Sequence, residues 1–171
     1  GFDDGFFNRF AAMSRMGPIL PLVGGNTRFQ PVYVDDVARA AVKGVNGEAA
    51  GIHELGGPQV ESLKTTIHAM LAGVRRRRLV VNVPFWVARI IGGVLDFGSF
   101  ASGRLITNRI LTRDQVDGLK SDNVVSEGAR TLADLGIEAT AYASVIPEYL
   151  WRYRPSGQYA AITESAKNLK K

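Results

Sequence analysis

The segment from Arg28 to Ala40 constrains the fold of this chain more than any other part of the sequence. It reads RFQPVYVDDVARA, a short apolar strand that passes through an acidic turn directly into an alanine-rich helix. We predict a strand over 28–34, at an edge or irregular position because it contains a proline. We expect Asp35 or Asp36 to cap a helix that ends near Gly47, because a carboxylate accepts the unpaired N–H groups of a first turn. A strand leading into a capped helix is typical of an α/β fold.

The rest of the pattern alternates strands and helices in the first half of the chain and is mainly helical in the second. Apolar spacing and capping residues predict helices over 6–16, from Ser62 onward, from Pro84 to about Leu95, after the capping box at 112–115, from Ser126 to Gly136, and over 140–154. Short apolar runs predict strands at 51–55 and 79–83, another apolar run covers 19–23, and 97–109 has the composition of a loop. The predicted class is therefore α/β with a mainly helical C-terminal lobe.

Composition excludes several kinds of site. The chain has no cysteine, and its two histidines, His53 and His68, stand apart without a zinc-like carboxylate pattern, so we expect no metal site. The longest apolar stretch, 79–100, is interrupted by polar and charged residues, so we expect no membrane-spanning helix. The net charge of +5 favours anionic partners.

The sequence also lacks two features that dinucleotide-dependent reductases need. Its three glycine pairs, at 24–25, 56–57 and 92–93, do not form GxGxxG between a strand and a helix. None of its five tyrosines is followed by lysine four positions later, so no lysine-activated phenol is available for proton transfer. We therefore predict that the segment is not catalytic on its own and binds no cofactor alone.

Four segments carry a family resemblance, and they occur in family order: DGFFNRF at 4–10, RFQPVYVDDVA at 28–38, ELGGP at 54–58 and YLWRYRP at 149–155. With them the chain resembles the C-terminal portion of an extended or atypical short-chain dehydrogenase/reductase. Within that superfamily it is most similar to the NADPH-binding accessory subunits of respiratory complex I, the alpha-subcomplex subunit 9 family, of the alphaproteobacterial type.

The resemblance implies a Rossmann-type half that holds NADPH in the full-length family member, followed by a smaller lobe near the membrane and the quinone site. On that basis residues 1–60 end the Rossmann-like half and the interlobe segment, 61–155 form the C-terminal lobe, and 156–171 form a flexible basic tail. The chain is expected to begin within a domain. Its first residues show no initiator Met and no features of a targeting peptide.

Two functions follow as expectations from the resemblance. The first is a non-catalytic accessory or assembly subunit of complex I, peripheral on the cytoplasmic face of a bacterial inner membrane or on the matrix side of the mitochondrial one. Its partners would be other complex I subunits and an anionic membrane surface, and not nucleic acid. The alternative is the substrate lobe of an NAD(P)-dependent epimerase or reductase, including relatives linked to quinone biosynthesis.

Two groups of residues are candidate sites. Asn8, Arg28, Gln30 and Tyr33 would form a vestigial pocket beside the substrate cleft of family relatives; a solvated or interlobe polar face remains an open alternative. The second group would dock on a membrane or partner, because a basic run followed by an apolar helix is typical of interfacial segments: Arg75, Arg76, Arg77, Arg78, Trp86 and Arg89. A solvated charge run and core packing of the helix remain open alternatives for that group.

Overall fold

The computed structural model describes residues 2–90, 93, 117–155, 157–159 and 162. The longer elements are α1 (Gly5–Met16), β1 (Ile19–Val23), β2 (Arg28–Phe29), α2 (Val34–Val45), β3 (Glu61–Ser62), α3 (Leu63–Gly73), β4 (Leu79–Val83) and α4 (Tyr142–Leu150). Residues 85–90 are helical, and single 3₁₀ turns cover Ala133–Leu135, Trp151–Tyr153 and Gly157–Tyr159. The prediction of a mixed α/β structure is confirmed.

Two small sheets organise these elements. Strands β1 and β4 pair in parallel, with Ile19 opposite Leu79 and Val23 opposite Val83. Strands β2 and β3 pair antiparallel, and Phe29 makes a further parallel bridge to Asn123. Both sheets join residues from either side of position 60, and the predicted division into 1–60, 61–155 and a tail stays a prediction.

The main core lies between α1, α3, α4 and β1. Each helix turns an apolar stripe inward at a spacing of three to four residues, and β1 contributes alternate residues because successive strand side chains point to opposite faces. The buried members are Phe7, Ala11, Leu20, Leu22, Leu63, Ile67, Met70, Leu71, Val74, Tyr142, Val145, Ile146, Tyr149 and Leu150.

The acidic pair of the opening segment does not cap its helix. Tyr33 is the N-cap residue of α2 and makes no side-chain capping bond. Asp36 lies inside the first turn and is fully buried beside a second core cluster of Ala40, Leu132, Leu135 and Ile137. Its carboxylate accepts hydrogen bonds from Thr140 and pairs with Arg39, so the predicted cap is instead a contact between distant segments.

The strand predicted over 28–34 is only Arg28–Phe29. Pro31 has no N–H to donate to a ladder, and α2 already begins at Val34, so the residues between stay outside the strand. The strand predicted at 51–55 is also wrong. That segment is held by a loop contact, in which the N–H of Glu54 donates to the carbonyl of Arg130 at 2.8 Å.

The helix predicted from Ser126 does not form. Gly128 adopts a positive φ of 76° in a turn, and only the 3₁₀ turn Ala133–Leu135 follows before the left-handed Gly136. The helix predicted from Ser62 is confirmed, whereas the helix predicted over 140–154 is shorter, since α4 covers Tyr142–Leu150 and a 3₁₀ turn follows it. Ser62 caps α3 by accepting from the N–H of Thr65 at 3.1 Å, and α4 accommodates Pro147.

Some predicted elements lie outside the described residues. They are the loop over 97–109, the capping box at 112–115, most of the helix beyond residue 90, and most of the tail at 156–171.

Candidate functional site

A cleft of about 720 Å³ lies between the start of α1, the segment after β2, and helices α3 and α4. Its walls are rich in aromatic side chains. Phe7 stacks on Tyr142 with ring centroids 5.8 Å apart, and Phe2 is tilted against Tyr149 at 6.3 Å. The cleft is therefore an apolar concavity with a few polar groups, the usual form of a small-molecule or partner pocket.

Two tyrosines of the cleft wall, Tyr142 and Tyr149, each donate a hydrogen bond to a carboxylate. The hydroxyl of Tyr142 donates to Glu61, and that of Tyr149 donates to the Oδ2 of Asp4 at 2.8 Å. Burial, and then the nearby Glu61 carboxylate, raise the pKa of Tyr142 to about 12. Burial and Asp4 likewise raise the pKa of Tyr149. Both phenols therefore stay protonated near neutral pH and act as hydrogen-bond donors rather than as acid–base reagents.

The Asp4 carboxylate is also committed to the backbone. Its two oxygens accept from the N–H groups of Phe6 at 2.9 Å and Phe7 at 3.1 Å, which caps α1. With Tyr149 it thus ties the start of α1 to α4 across the cleft. The Asp4 carboxylate therefore stabilises the cleft wall, and both of its oxygens already accept hydrogen bonds.

The four residues predicted for a vestigial pocket are not brought together as a set. Gln30 and Tyr33 line the cleft, whereas Asn8 and Arg28 do not. Arg28 forms an exposed ion pair with Asp122 at 2.8 Å. The amide of Asn8 donates to the carbonyls of Phe2 and Asp4.

Gln30 is a cross-link between three segments. Its Nε2 donates to the carbonyl of Gly57 at 2.8 Å, and its Oε1 accepts from the N–H of Val125 at 3.0 Å. Gly57 sits so close to the chain that a Cβ there would lie 1.9 Å from the carbonyl oxygen of Pro31. The glycine pair at 56–57 thus permits close backbone packing behind the cleft wall.

Tyr33 keeps its proton for a local reason. Its pKa is raised by a hydrogen bond with Asp35, with burial adding to the effect. No lysine lies four positions later, where Val37 stands. Tyr33 therefore lacks the cation that would lower its pKa for catalysis.

The glycine pairs that the structure describes do not fit a dinucleotide. Gly24, at φ 66°, and Gly25 form a turn after β1 that leads to Thr27 and β2 rather than to a helix. A Cβ on Gly25 would meet the Asn82 side chain at 2.2 Å. Neither this turn nor the pair at 56–57 presents a helix N-terminus to a phosphate, which is what such a site needs.

The basic run lies at the opposite end of α3 from Ser62. Two of its arginines are anchored to carbonyls: Nε of Arg76 donates to Tyr153 at 2.8 Å, and Nε of Arg78 donates to Ser14 at 2.7 Å. Burial first, and then the neighbouring Arg78 and Arg15, lower the pKa of Arg76. The run also lines a cleft of about 640 Å³ with His68, Leu71 and Ala72.

Trp86 and Arg89 do not lie in that cleft. The arginine run precedes β4, while Trp86 and Arg89 follow the other end of this five-residue strand, which spans about 13 Å between its terminal Cα atoms. Trp86 is 67% exposed, so core packing is not its role. The predicted docking group is thus divided between the two ends of β4.

No local sequence pattern predicts the long-range polar pairs of this structure. Tyr142 and Tyr149 are two helical turns apart, so their spacing predicts that they share one face of the helix. Their partners Glu61 and Asp4 are 81 and 145 positions away in the sequence, so no local pattern identifies them.

Neither a metal site nor a membrane span occurs in the described part of the chain. Within it, no three His, Asp or Glu side chains are grouped so that they could hold a metal ion. Among the same residues, no helix has the length and apolarity needed to cross a bilayer.

Comparison with known proteins gives consistent relatives. No protein-family model matches the chain. NADH dehydrogenase (ubiquinone) 1 alpha subcomplex subunit 9, mitochondrial, of Arabidopsis thaliana is 31% identical over 98% of this chain and 43% of its own length. The NADH-ubiquinone oxidoreductase 40 kDa subunit, mitochondrial, of Neurospora crassa is 28% identical over 93% of this chain and 40% of its own.

A third relative extends the comparison to a distant organism. The Dictyostelium discoideum protein with the same name as the Arabidopsis one is 24% identical over 95% of this chain and 45% of its own length. The chain thus spans less than half the length of each of these curated relatives.

Proposed function

Because the chain belongs to the alpha subcomplex subunit 9 family of NADH dehydrogenase (ubiquinone), we propose that it forms part of a non-catalytic accessory subunit of respiratory complex I. The observation that carries this proposal is the 31% identity over 98% of the chain to a protein named NADH dehydrogenase (ubiquinone) 1 alpha subcomplex subunit 9. The proposed partners are the other subunits of the complex.

The chemistry of the cleft supports a non-catalytic role. Its two buried tyrosines have raised pKa values, and Asp4 and Glu61 accept hydrogen bonds from them. A general base must be deprotonated and within reach of a substrate proton. Tyr142 and Tyr149 instead donate to Glu61 and Asp4, which holds α4 to β3 and to the start of α1.

NADPH binding is proposed for the family members as whole proteins and not for this segment alone. The segment is proposed to be the C-terminal portion of an extended short-chain dehydrogenase/reductase of the alphaproteobacterial type. The glycine turns at 24–25 and 56–57 serve chain packing, which supports this division. Isolated, the chain should show negligible heat on titration with NADPH, and saturable micromolar binding would contradict the proposal.

The proposed location is peripheral, on the cytoplasmic face of a bacterial inner membrane or the matrix side of a mitochondrial one. A net charge of +5, with four consecutive arginines, supports attachment to an anionic surface. The quinone site is the proposed neighbourhood within the complex.

The experiment is to tag the chain at its native locus and resolve membrane extracts on native gels. We expect the tag to co-migrate with NADH dehydrogenase activity and to be lost from that band when complex I is genetically absent. Deleting the gene that encodes the chain should lower the amount of assembled complex I. A tag found only in free protein, with complex I unaffected by the deletion, would contradict the proposal.

A further inference from the structure

Charge is strongly segregated along this chain. Between residues 5 and 34, and again between 62 and 95, the sequence has no Asp or Glu but has nine Lys and Arg. The whole chain has a net charge of only +5, so the remainder is net acidic. The two acid-free segments contain α1, β1, α3 and β4, which together form one body of the structure. Its surface is therefore cationic without neutralising carboxylates of its own.

One end of this body collects most of that charge. The N–H of Leu79 donates to the carbonyl of Pro18 at 2.9 Å, and Ile19 pairs with Leu79 in register. Nε of Arg78 reaches the carbonyl of Ser14. The C-terminus of α1, the first residues of β1 and β4, and the arginine run therefore meet at a single place.

Exposed aliphatic side chains lie at the same place. Met16 is 87% exposed, Ile19 56% and Leu79 64%. Ile19 and Leu79 are register partners, so their side chains stand on the same face of the sheet. We name the basic–apolar end as Met16, Ile19 and Leu79 with Arg15 and Arg75–Arg78.

The backbone at Arg75 gives an independent observation. Arg75 has φ 56°, and it is the only non-glycine residue with positive φ in the described ranges. Its N–H donates to Ala72 at 3.0 Å and that of Arg76 donates to Leu71 at 2.9 Å, which is the Schellman arrangement at the end of α3. Glycine is the preferred residue at this left-handed position, and any side chain there is unfavourable. The left-handed residue therefore ends α3 at the first arginine of the run, which starts at this point of the chain.

We infer that the basic–apolar end docks on the surface of an anionic lipid bilayer. Arginine guanidinium groups suit phosphate-bearing headgroups, and aliphatic side chains among them suit the boundary between headgroups and acyl chains. The inference rests on the proposed peripheral role, and it adds which surface of the protein contacts the membrane. Trp86 and Arg89, at the other end of β4, lie outside that surface.

Vesicle binding of the purified 171-residue chain tests the charge. We expect binding to phosphatidylcholine vesicles that contain phosphatidylglycerol, weak binding to phosphatidylcholine alone, and loss of binding as salt rises. Arg75→Gly with Arg77→Gln should weaken binding about 25-fold, since each basic side chain near an anionic surface contributes roughly five-fold. Lys43→Gln with Lys120→Gln removes the same charge elsewhere and should have a much smaller effect.

The apolar contact has its own matched control. Met16→Ser should weaken binding about three-fold or more, whereas Val45→Ser should not, although the two side chains are 87% and 88% exposed. Because the chain lacks cysteine, Met16→Cys, Val45→Cys and Trp86→Cys each accept a single environment-sensitive dye. On anionic vesicles we expect a blue shift at position 16 and none at 45 or 86.

Several results would overturn the inference. Equal binding to neutral and anionic vesicles, or no binding to either, would show that the end serves an acidic protein partner or no partner. A blue shift at position 86 without one at 16 would place docking at the other end of β4. None of these measurements requires complex I. They can therefore contradict the docking surface while the accessory-subunit proposal stands, and the native gel tests that proposal separately.

Discussion

The buried carboxylate of Asp36 accepts two hydrogen bonds from Thr140, from its backbone N–H at 2.6 Å and from its hydroxyl at 3.1 Å. The two residues are 104 positions apart, and Asp36 is fully buried. Arg39, one turn later on α2, pairs with the same carboxylate. This junction fastens α2 to the segment that enters α4, and it gives Asp36, the second acidic residue of the opening motif, a structural role.

Asp36→Asn should lower the free energy of unfolding by about 2–3 kcal/mol, because one of the two accepting oxygens becomes an NH₂ donor and the charge that pairs with Arg39 is lost. Urea unfolding followed by circular dichroism measures the change. Asp35→Asn, at the next position but exposed, is the matched control and should change stability by less than about 0.5 kcal/mol. Equal effects of the two substitutions would contradict the assigned junction.

The same carboxylate predicts a pH dependence. Burial opposes ionisation of Asp36, but the hydrogen bonds from Thr140 and the Arg39 guanidinium outweigh it, so its pKa is lowered. A lowered folded-state pKa gives stability that is present above the unfolded value of about 3.9 and is lost as pH falls through the folded value. The stability gap between native chain and Asp36→Asn should therefore narrow below about pH 4.

Gly57→Ala should destabilise the chain by about 2 kcal/mol or more, because its Cβ would lie 1.9 Å from the Pro31 carbonyl oxygen and the backbone would have to move. Gly44→Ala is the matched control. Nothing lies within 4 Å of a Cβ there, inside α2, so it should stabilise by about 0.5–1 kcal/mol. Thermal unfolding of both variants checks the opposite signs, and stabilisation by Gly57→Ala would refute the close approach.

Local patterns in the sequence predicted the parts of the fold that local physics decides. The Ser62 cap, the apolar stripe of α3 and the helix 5–16 each depend on residues a few positions apart. Asp36 shows where this stops. Its position suggested a cap, but a partner 104 positions away and full burial gave it a different role.

The same limit applies to the candidate sites, because contacts between distant residues decide where their side chains lie. Gln30 and Tyr33 lie at a cleft wall, whereas Arg28 pairs with Asp122 and Asn8 donates to nearby carbonyls, so the vestigial pocket stays a prediction. The strand ends at Phe29, before Pro31, so Arg28, Gln30 and Tyr33 do not lie along one regular strand. The basic run was evident from the sequence, while its aliphatic neighbours Met16 and Ile19 came close only through the pairing of β1 with β4.

Arg75→Gly should leave the chain at least as stable, by up to about 1 kcal/mol, because glycine removes the penalty of a side chain in the left-handed conformation that ends α3. Arg75→Val should destabilise by about 1 kcal/mol or more, since a β-branched residue is poorly suited to positive φ. Chemical unfolding measures both. Destabilisation by glycine equal to that by valine would show that Arg75 contributes more to the fold through its side chain than its backbone costs.

Alkaline pH should destabilise the chain through Tyr142 and Tyr149. Burial and the adjacent carboxylates raise the pKa of Tyr142 to about 12 and also raise that of Tyr149. A raised folded-state pKa gives stability that is complete below the unfolded value of about 10 and is lost as pH rises through the folded one. Between pH 9 and 12 the native chain should therefore lose stability more steeply than Tyr142→Phe/Tyr149→Phe.

At pH 7 each single substitution should cost about 1 kcal/mol, because it removes one hydrogen bond and leaves a carboxylate with fewer partners. Tyrosinate absorbance near 295 nm gives the direct readout, and the native chain should show a phenol that titrates near pH 12, because burial and Glu61 raise the pKa of Tyr142 to about 12. Tyr159→Phe, at an exposed position, is the control and should change the free energy of unfolding at pH 7 by less than about 0.5 kcal/mol. An identical loss of stability between pH 9 and 12 in the native chain and in Tyr142→Phe/Tyr149→Phe would refute both phenol–carboxylate pairs.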